Sequence, residues 1–135
     1  MQIGVYGCGY LGTVVSACLA DFGVPVTCYS DHHEAVLKLA EGNIPFHEKN
    51  LAEVARRNLR AGRLIYSTDL ESFARRSHIM YIAEDSPEHL AQIASTLARY
   101  GSPKATMVFM TPCQVGTARS IEQLLRSSGS TITVV

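Results

Sequence analysis

Gly7-Cys8-Gly9-Tyr10-Leu11-Gly12 follows a short, apolar, β-prone run from Met1 to Tyr6 and opens a helical pattern. A strand that breaks on three spaced glycines and re-forms as a helix has few structural solutions. Gly7 permits the tight turn, Gly9 keeps the backbone open to a pyrophosphate, and Gly12 lets the helix lie close to the strand. The helix start then offers free N–H donors and a positive dipole end. A glycine turn that binds nothing is the plain alternative. A strand before, a helix after and a second strand at the expected distance favour the phosphate-holding form.

The rest of the chain repeats the alternation. Thr13 to Phe22 runs helical, with Leu11, Val14, Val15, Cys18 and Leu19 expected on the buried face. Pro25 to Tyr29 reads as the second strand and Glu34 to Ala40 as a short helix. Leu51, Val54, Ala55 and Leu59 make the stripe of the next helix, which Gly62 ends, and Leu64 to Ser67 is a brief strand. Thr68 or Asp69 caps a short helix through Arg76. His78 to Ala83 is a strand, Pro87 sits in the first turn of a helix through Tyr100, and Ala105 to Thr111 is a fifth strand. Val115 to Ser127 is helical, and Thr131 to Val135 closes the pattern. Continuous apolar strands alternating with helices imply an α/β, doubly wound, six-stranded parallel Rossmann sheet in the order 3-2-1-4-5-6. The expectation is one dinucleotide-binding domain over residues 1–135.

Charge and cysteine usage narrow the partners. Twelve basic and twelve acidic residues cancel, which gives no electrostatic case for nucleic acid or a membrane surface. No apolar run approaches a membrane span, and no leader pattern precedes Ile3. Cys8, Cys18, Cys28 and Cys113 show no C-x-x-C spacing and read as reduced, packed thiols. A cytoplasmic setting is therefore expected. The histidines and cysteines lack metal-ligand spacing, so no metal site is expected. Arg56, Arg57, Arg60 and Arg63 read as an ordinary solvated helix face.

The end of the second strand departs from the usual dinucleotide pattern. An acid normally stands there to accept hydrogen bonds from the adenosine ribose. Here Ser30 holds that place and Asp31 follows one residue later. A neutral residue removes the charge that repels a 2′-phosphate. No arginine follows to bind one, and His32 and His33 are mostly uncharged at neutral pH.

These segments resemble the UDP-glucose/GDP-mannose dehydrogenase family. The resemblance rests on Gly7 to Gly12, Ala17-Cys18-Leu19-Ala20 and Val26-Thr27-Cys28. It rests most on Leu39 to Glu48, Asn58 to Leu64, Ser67-Thr68-Asp69-Leu70 and Val115-Gly116-Thr117. The departures lie on the cofactor side. The position of the family's ribose acid is Ser30, and its loop after the fourth strand appears as Asp85-Ser86-Pro87. Its loop after the fifth strand appears as Thr111-Pro112-Cys113-Gln114, while Glu48 persists.

The resemblance implies an NAD-binding domain of an enzyme that oxidises a nucleotide sugar to a uronic acid. The expected cofactor-binding residues are Gly7, Gly9, Tyr10, Leu11, Gly12, Ser30, Asp31, Ala83, Glu84, Ser86 and Thr111. Ala83 to Ser86 and Thr111 are expected to border the nicotinamide. Catalytic residues stay unassigned, because the resemblance puts the family's thiol, lysine and sugar-binding elements in a later domain. The nucleotide sugar is a partner only alongside such a domain. Cys113 does not inherit the thiol's role and is expected to be buried and inert. NADP in place of NAD, loss of the cofactor and a homodimer stay open. The alternative is a degenerate, non-catalytic module acting in protein interaction or regulation.

Overall fold

Short apolar runs separated by helices leave each strand two faces to bury, and a covered parallel sheet is the arrangement that buries both. The computed structural model describes residues 1–135 and builds that sheet. Its strands are β1 (Ile3–Tyr6), β2 (Val26–Tyr29), β3 (Leu64–Ser67), β4 (Ile79–Ile82), β5 (Thr106–Phe109) and β6 (Thr133–Val134). The helices are α1 (Tyr10–Asp21), α2 (His33–Ala40), α3 (Leu51–Arg60), α4 (Leu70–Arg76), α5 (Leu90–Tyr100) and α6 (Thr117–Ser127). All pairings are parallel, in the order β3-β2-β1-β4-β5-β6, as expected from the sequence. In β1, Tyr6 stands level with Tyr29 of β2 and Ile82 of β4. The carboxyl ends of the central strands therefore open on one edge, where a doubly wound sheet takes its ligand.

The side-chain period of two sorts residues onto two cores. Ile3 and Val5 of β1 join Val26, Cys28, Leu39, Leu51, Leu64 and Tyr66 on the face covered by α1 to α3. Tyr29, Phe73, Met80, Ile82, Leu97, Met107 and Leu125 form the other core, under α4 to α6. Gly4 belongs to this second face. A Cβ there would lie 2.7 Å from the Phe73 ring, so the ring packs directly on the β1 backbone. Burying a phenylalanine contributes about 1.5–3 kcal/mol relative to exposure.

Helix α1 corrects the expected face. Its fully buried residues are Gly12, Thr13, Ser16, Ala17 and Ala20. Leu11, Val14, Val15 and Leu19 are half-buried at its sides, and Cys18 is exposed. Small residues face the sheet because the helix approaches it too closely for branched ones: a Cβ on Gly12 would lie 1.8 Å from the Gly7 carbonyl oxygen. Helix α3 is also corrected in part. Leu51 and Ala55 are buried as expected, Val54 and Leu59 only partly, and the third fully buried residue is Asn58. Its amide donates to the Asp21 carboxylate (3.0 Å) and the Val54 carbonyl (2.9 Å) and accepts from Arg63 (2.8 Å). Arg57 pairs with Asp21 at 2.7 Å and Arg56 donates to the Gly42 carbonyl at 2.8 Å. Arg56, Arg57 and Arg60 are exposed, as a solvated face implies, and Arg56, Arg57 and Arg63 also hydrogen-bond to Gly42, Asp21 and Asn58.

Boundaries shift by one to three residues. Helix α1 starts at Tyr10, three residues earlier than its apolar pattern, because the glycine loop enters the helix directly. Pro87 opens a 3-10 turn (Pro87–His89) that leads into α5. Asp69, one of the two expected caps, accepts from the Ser72 amide at the start of α4. No helix is long and apolar enough to cross a membrane.

A candidate dinucleotide crevice at the strand ends

The glycine loop leaves β1 with Gly7 at φ +111°, a conformation that a residue with a side chain rarely adopts. A Cβ at Gly7 would also sit 2.6 Å from the Ala83 carbonyl oxygen. Gly7 and Gly12 are therefore fixed by sterics within the protein. Gly9 is different. A Cβ there would meet only the carboxylate of Asp85, at 3.2 and 3.3 Å, with no backbone in the way. Gly9 is the N-cap of α1, and no side chain caps the helix. The amides of Tyr10, Leu11 and Gly12 have no acceptor within the protein, and the first turn carries no acid. Such a helix start holds unmet donors and a partial positive charge.

Tyr10 stands exposed at this helix start. Its hydroxyl donates to Glu48, and its ring meets Phe46 edge-on at 5.7 Å. The hydrogen bond to Glu48 holds the Tyr10 hydroxyl above its ordinary pKa. The segment before α3 is thereby fastened to the glycine loop. Leu11 is half-buried and packs on the core beneath.

A crevice of about 430 Å³ opens beside the ends of β1 and β2, on the face covered by α4 and α5, and the glycine loop does not line it. Tyr6, Tyr29, Asp31, His32, Glu84 and His89 line it together with Leu70 of α4 and Gln92, Ile93 and Thr96 of α5. Burial, followed by the charges of Asp85 and Asp31, raises the Glu84 pKa from its ordinary value. Burial pushes the Tyr6 hydroxyl up to about 12. Both groups sit in a partly desolvated, negatively charged surround. A larger cavity of about 570 Å³ lies between α5 and α6. Its lining is mainly hydroxyl groups with the single cation Arg99, and it stands away from the strand ends.

The expected site residues do collect at one edge, with different freedom to act. Ser30 is buried, and its hydroxyl already accepts from the His32 amide at 3.2 Å. Asp31 is exposed and lies 3.7 Å from His32. Of the two, Asp31 is the residue that borders the crevice. Ala83 is buried, and its amide donates to Tyr6. Ser86 caps the 3-10 turn through the Glu88 amide. Thr111 is buried, and its hydroxyl donates to the Glu84 carbonyl at 2.8 Å, so it joins the loops after β4 and β5. Glu84 and Asp31 both line the crevice. Cys113 is exposed, which corrects the expected buried thiol: the loop after β5 carries it outward, next to exposed Pro112. Tyr6, Tyr29, His89 and Gln92 line the crevice unforeseen. The two tyrosines end their strands on the face away from α1, a placement that the strand period alone could have given.

The model of the UDP-glucose/GDP-mannose dehydrogenase family, NAD binding domain, matches residues 1–134. A UDP-glucose 6-dehydrogenase of Pseudomonas aeruginosa is 29% identical over 135 residues, covering 93% of this chain and 30% of the relative. The UDP-glucose 6-dehydrogenase TuaD of Bacillus subtilis is 27% identical, covering 94% of this chain and 30% of the relative. The chain thus spans under a third of the length of these relatives. Among solved structures, a GDP-mannose dehydrogenase from Pseudomonas aeruginosa superposes with a TM-score of 0.90 at 21% identity, over 99% of this chain and 35% of that one. A UDP-D-ManNAc dehydrogenase from Pyrococcus horikoshii gives a TM-score of 0.90 at 22% identity, again over 99% of this chain and 35% of that one. Those two likenesses bear on the fold. The match over nearly every residue decides the kinship: the chain belongs to the UDP-glucose/GDP-mannose dehydrogenase family, as its NAD-binding domain.

Proposed function

We propose that this domain holds NAD across the glycine loop and the loops after β2 and β4, and serves a nucleotide-sugar 6-dehydrogenase. The observation that carries the reading is the uncapped start of α1 behind Gly9, where the first amides have no acceptor in the protein and a Cβ on Gly9 would meet the flexible Asp85 carboxylate before any backbone. The amides of Tyr10, Leu11 and Gly12 would hold the pyrophosphate. Asp31 would accept from the adenosine ribose in place of Ser30, whose hydroxyl is already engaged. Glu84 and Ser86 would flank the ligand, while Ala83 and Thr111 support the loops. Bound NAD supplies the hydride acceptor for oxidation of the sugar alcohol. Sugar binding and the reacting groups would require a further domain beside this one.

The rim also bears on cofactor choice. Asp31 and Glu84 line the crevice, Asp85 stands over Gly9, and no arginine or lysine lines the crevice. A 2′-phosphate would enter that field against Coulomb repulsion, so NAD is favoured over NADP.

One observation favours the second reading, a degenerate module without cofactor. The Asp85 carboxylate stands over Gly9, in the space that the glycine keeps open. Calorimetric titration with NAD and NADP separates the two readings. The expected result is saturable NAD binding, with Kd between about 10 μM and about 1 mM, and weaker NADP binding. No NAD heat at millimolar ligand would leave the interaction module standing. A low-micromolar or tighter Kd would overturn the weakening expected from the altered rim.

A further inference from the structure

We propose that Cys8 and Cys28 form a redox-active pair that hydrogen peroxide converts to an intramolecular disulfide beneath the glycine loop. The inference does not depend on the cofactor reading. Cys8 stands between Gly7 and Gly9, and Cys28 stands in β2, level with Val5. Their Sγ atoms lie 3.3 Å apart, and the Cys28 thiol also donates to the Gly7 carbonyl at 3.5 Å. A disulfide requires about 2.05 Å between sulfurs, so closure needs a movement of about 1 Å. Small side-chain rotations in a loop can supply that movement.

Burial divides the roles. Cys8 is half-buried, while Cys28 is fully enclosed. Peroxide therefore meets Cys8 first, and Cys28 is the resolving thiol. A third group faces the same space. Tyr66 is only 8% exposed, and its hydroxyl has no hydrogen-bond partner. Buried hydroxyls rarely go without one. Burial raises its pKa first, the neighbouring Cys28 and Cys8 raise it further and the adjacent Ser16 side chain lowers it, with a net rise that keeps the phenol a donor. An oxygen carried on the Cys8 sulfur would give that donor an acceptor. The other two cysteines differ, because Cys18 and Cys113 are exposed and have no sulfur neighbour.

The chemistry proceeds in two steps. The Cys8 sulfur takes one peroxide oxygen as the O–O bond breaks, giving a sulfenic acid and one water. The Cys28 sulfur then attacks the Cys8 sulfur, the S–O bond breaks, and the departing hydroxide leaves as water with the Cys28 proton. Two thiols lose two electrons in all, and one peroxide becomes two waters.

Peptide mapping tests this on the unaltered chain. The reduced protein is treated with hydrogen peroxide and quenched, and remaining thiols are alkylated after denaturation. The expected product is a cross-linked Cys8–Cys28 peptide, lighter by two hydrogens and lost on adding dithiothreitol. Cys18 and Cys113 should instead appear alkylated or oxygenated, and the cross-link should persist in a Cys18→Ser, Cys113→Ser chain. Recovery of Cys8 as a sulfinic acid with Cys28 alkylated would overturn the pair. So would alkylation of both under conditions that oxidise Cys18. Tyr66→Phe should slow cross-linking several-fold. An unchanged rate would remove the phenol from the proposal.

Discussion

Two walls at the carboxyl end of the sheet obey different constraints. The wall from β1 to α1 is steric: Gly7 and Gly12 are glycines because backbone atoms stand 2.6 Å and 1.8 Å from where a Cβ would be. The wall formed by the ends of β2 and β4 is electrostatic. It carries Asp31, Glu84 and Asp85 beside a cradle of unmet N–H donors. A change in the first wall must disturb the fold. A change in the second can retune affinity while the fold persists.

The sharpest break of that contrast is Gly12→Ala. The new methyl collides with the Gly7 carbonyl, and α1 cannot withdraw without opening the core at Ala17 and Ala20. The expected cost is about 3 kcal/mol or more, a fall in Tm of roughly 10 °C or more by circular dichroism. Gly9→Val should behave oppositely. Its Cβ displaces only the exposed Asp85 side chain, so Tm should hold while calorimetry shows NAD affinity falling about ten- to a hundredfold. Equal losses of stability in both variants would mean that Gly9 too serves packing.

The steric wall was legible in the sequence and the electrostatic wall only partly so. Three glycines between a strand and a helix need backbone geometry that no other residues provide, and the strand order followed from the alternation. The face of α1 was not legible, because leucine and valine dominate a hydrophobicity pattern while the closeness of helix to sheet selects Gly12, Ser16 and Ala17. Ser30 and Asp31 are adjacent, and only the hydrogen bond from the His32 amide shows which one is engaged inward. Asn58 escaped notice for a similar reason: a polar residue reads as surface until its partners Asp21, Val54 and Arg63 are in place.

A smaller effect sharpens the electrostatic side. Asp85→Asn removes one charge facing Gly9 and keeps the side chain's shape. Two like charges a few ångströms apart near solvent repel by about 1 kcal/mol, so NAD should bind roughly fivefold tighter. The gain should shrink at high salt, because the Debye length falls to about 3 Å at 1 M. Unchanged affinity at low salt would show that Asp85 does not face the bound cofactor.

The smallest expected effect concerns Glu84 and pH. Burial first, and the charges of Asp85 and Asp31 next, raise its pKa above the ordinary 4.5. The folded chain therefore holds this proton more tightly than the unfolded chain does. The stability so contributed is fully present below pH 4.5 and is lost as pH rises through the raised value. At neutral pH the ionised carboxylate weighs against the fold. Glu84→Gln should then raise the urea midpoint at about pH 7 and change little at about pH 4. Solvent still reaches this half-buried group, so the gain should stay below about 1 kcal/mol. Asp85→Asn in the same chain should reduce the gain, because the two carboxylates share one repulsion. A Glu84→Gln gain that is equal at both pH values would point to packing as its cause.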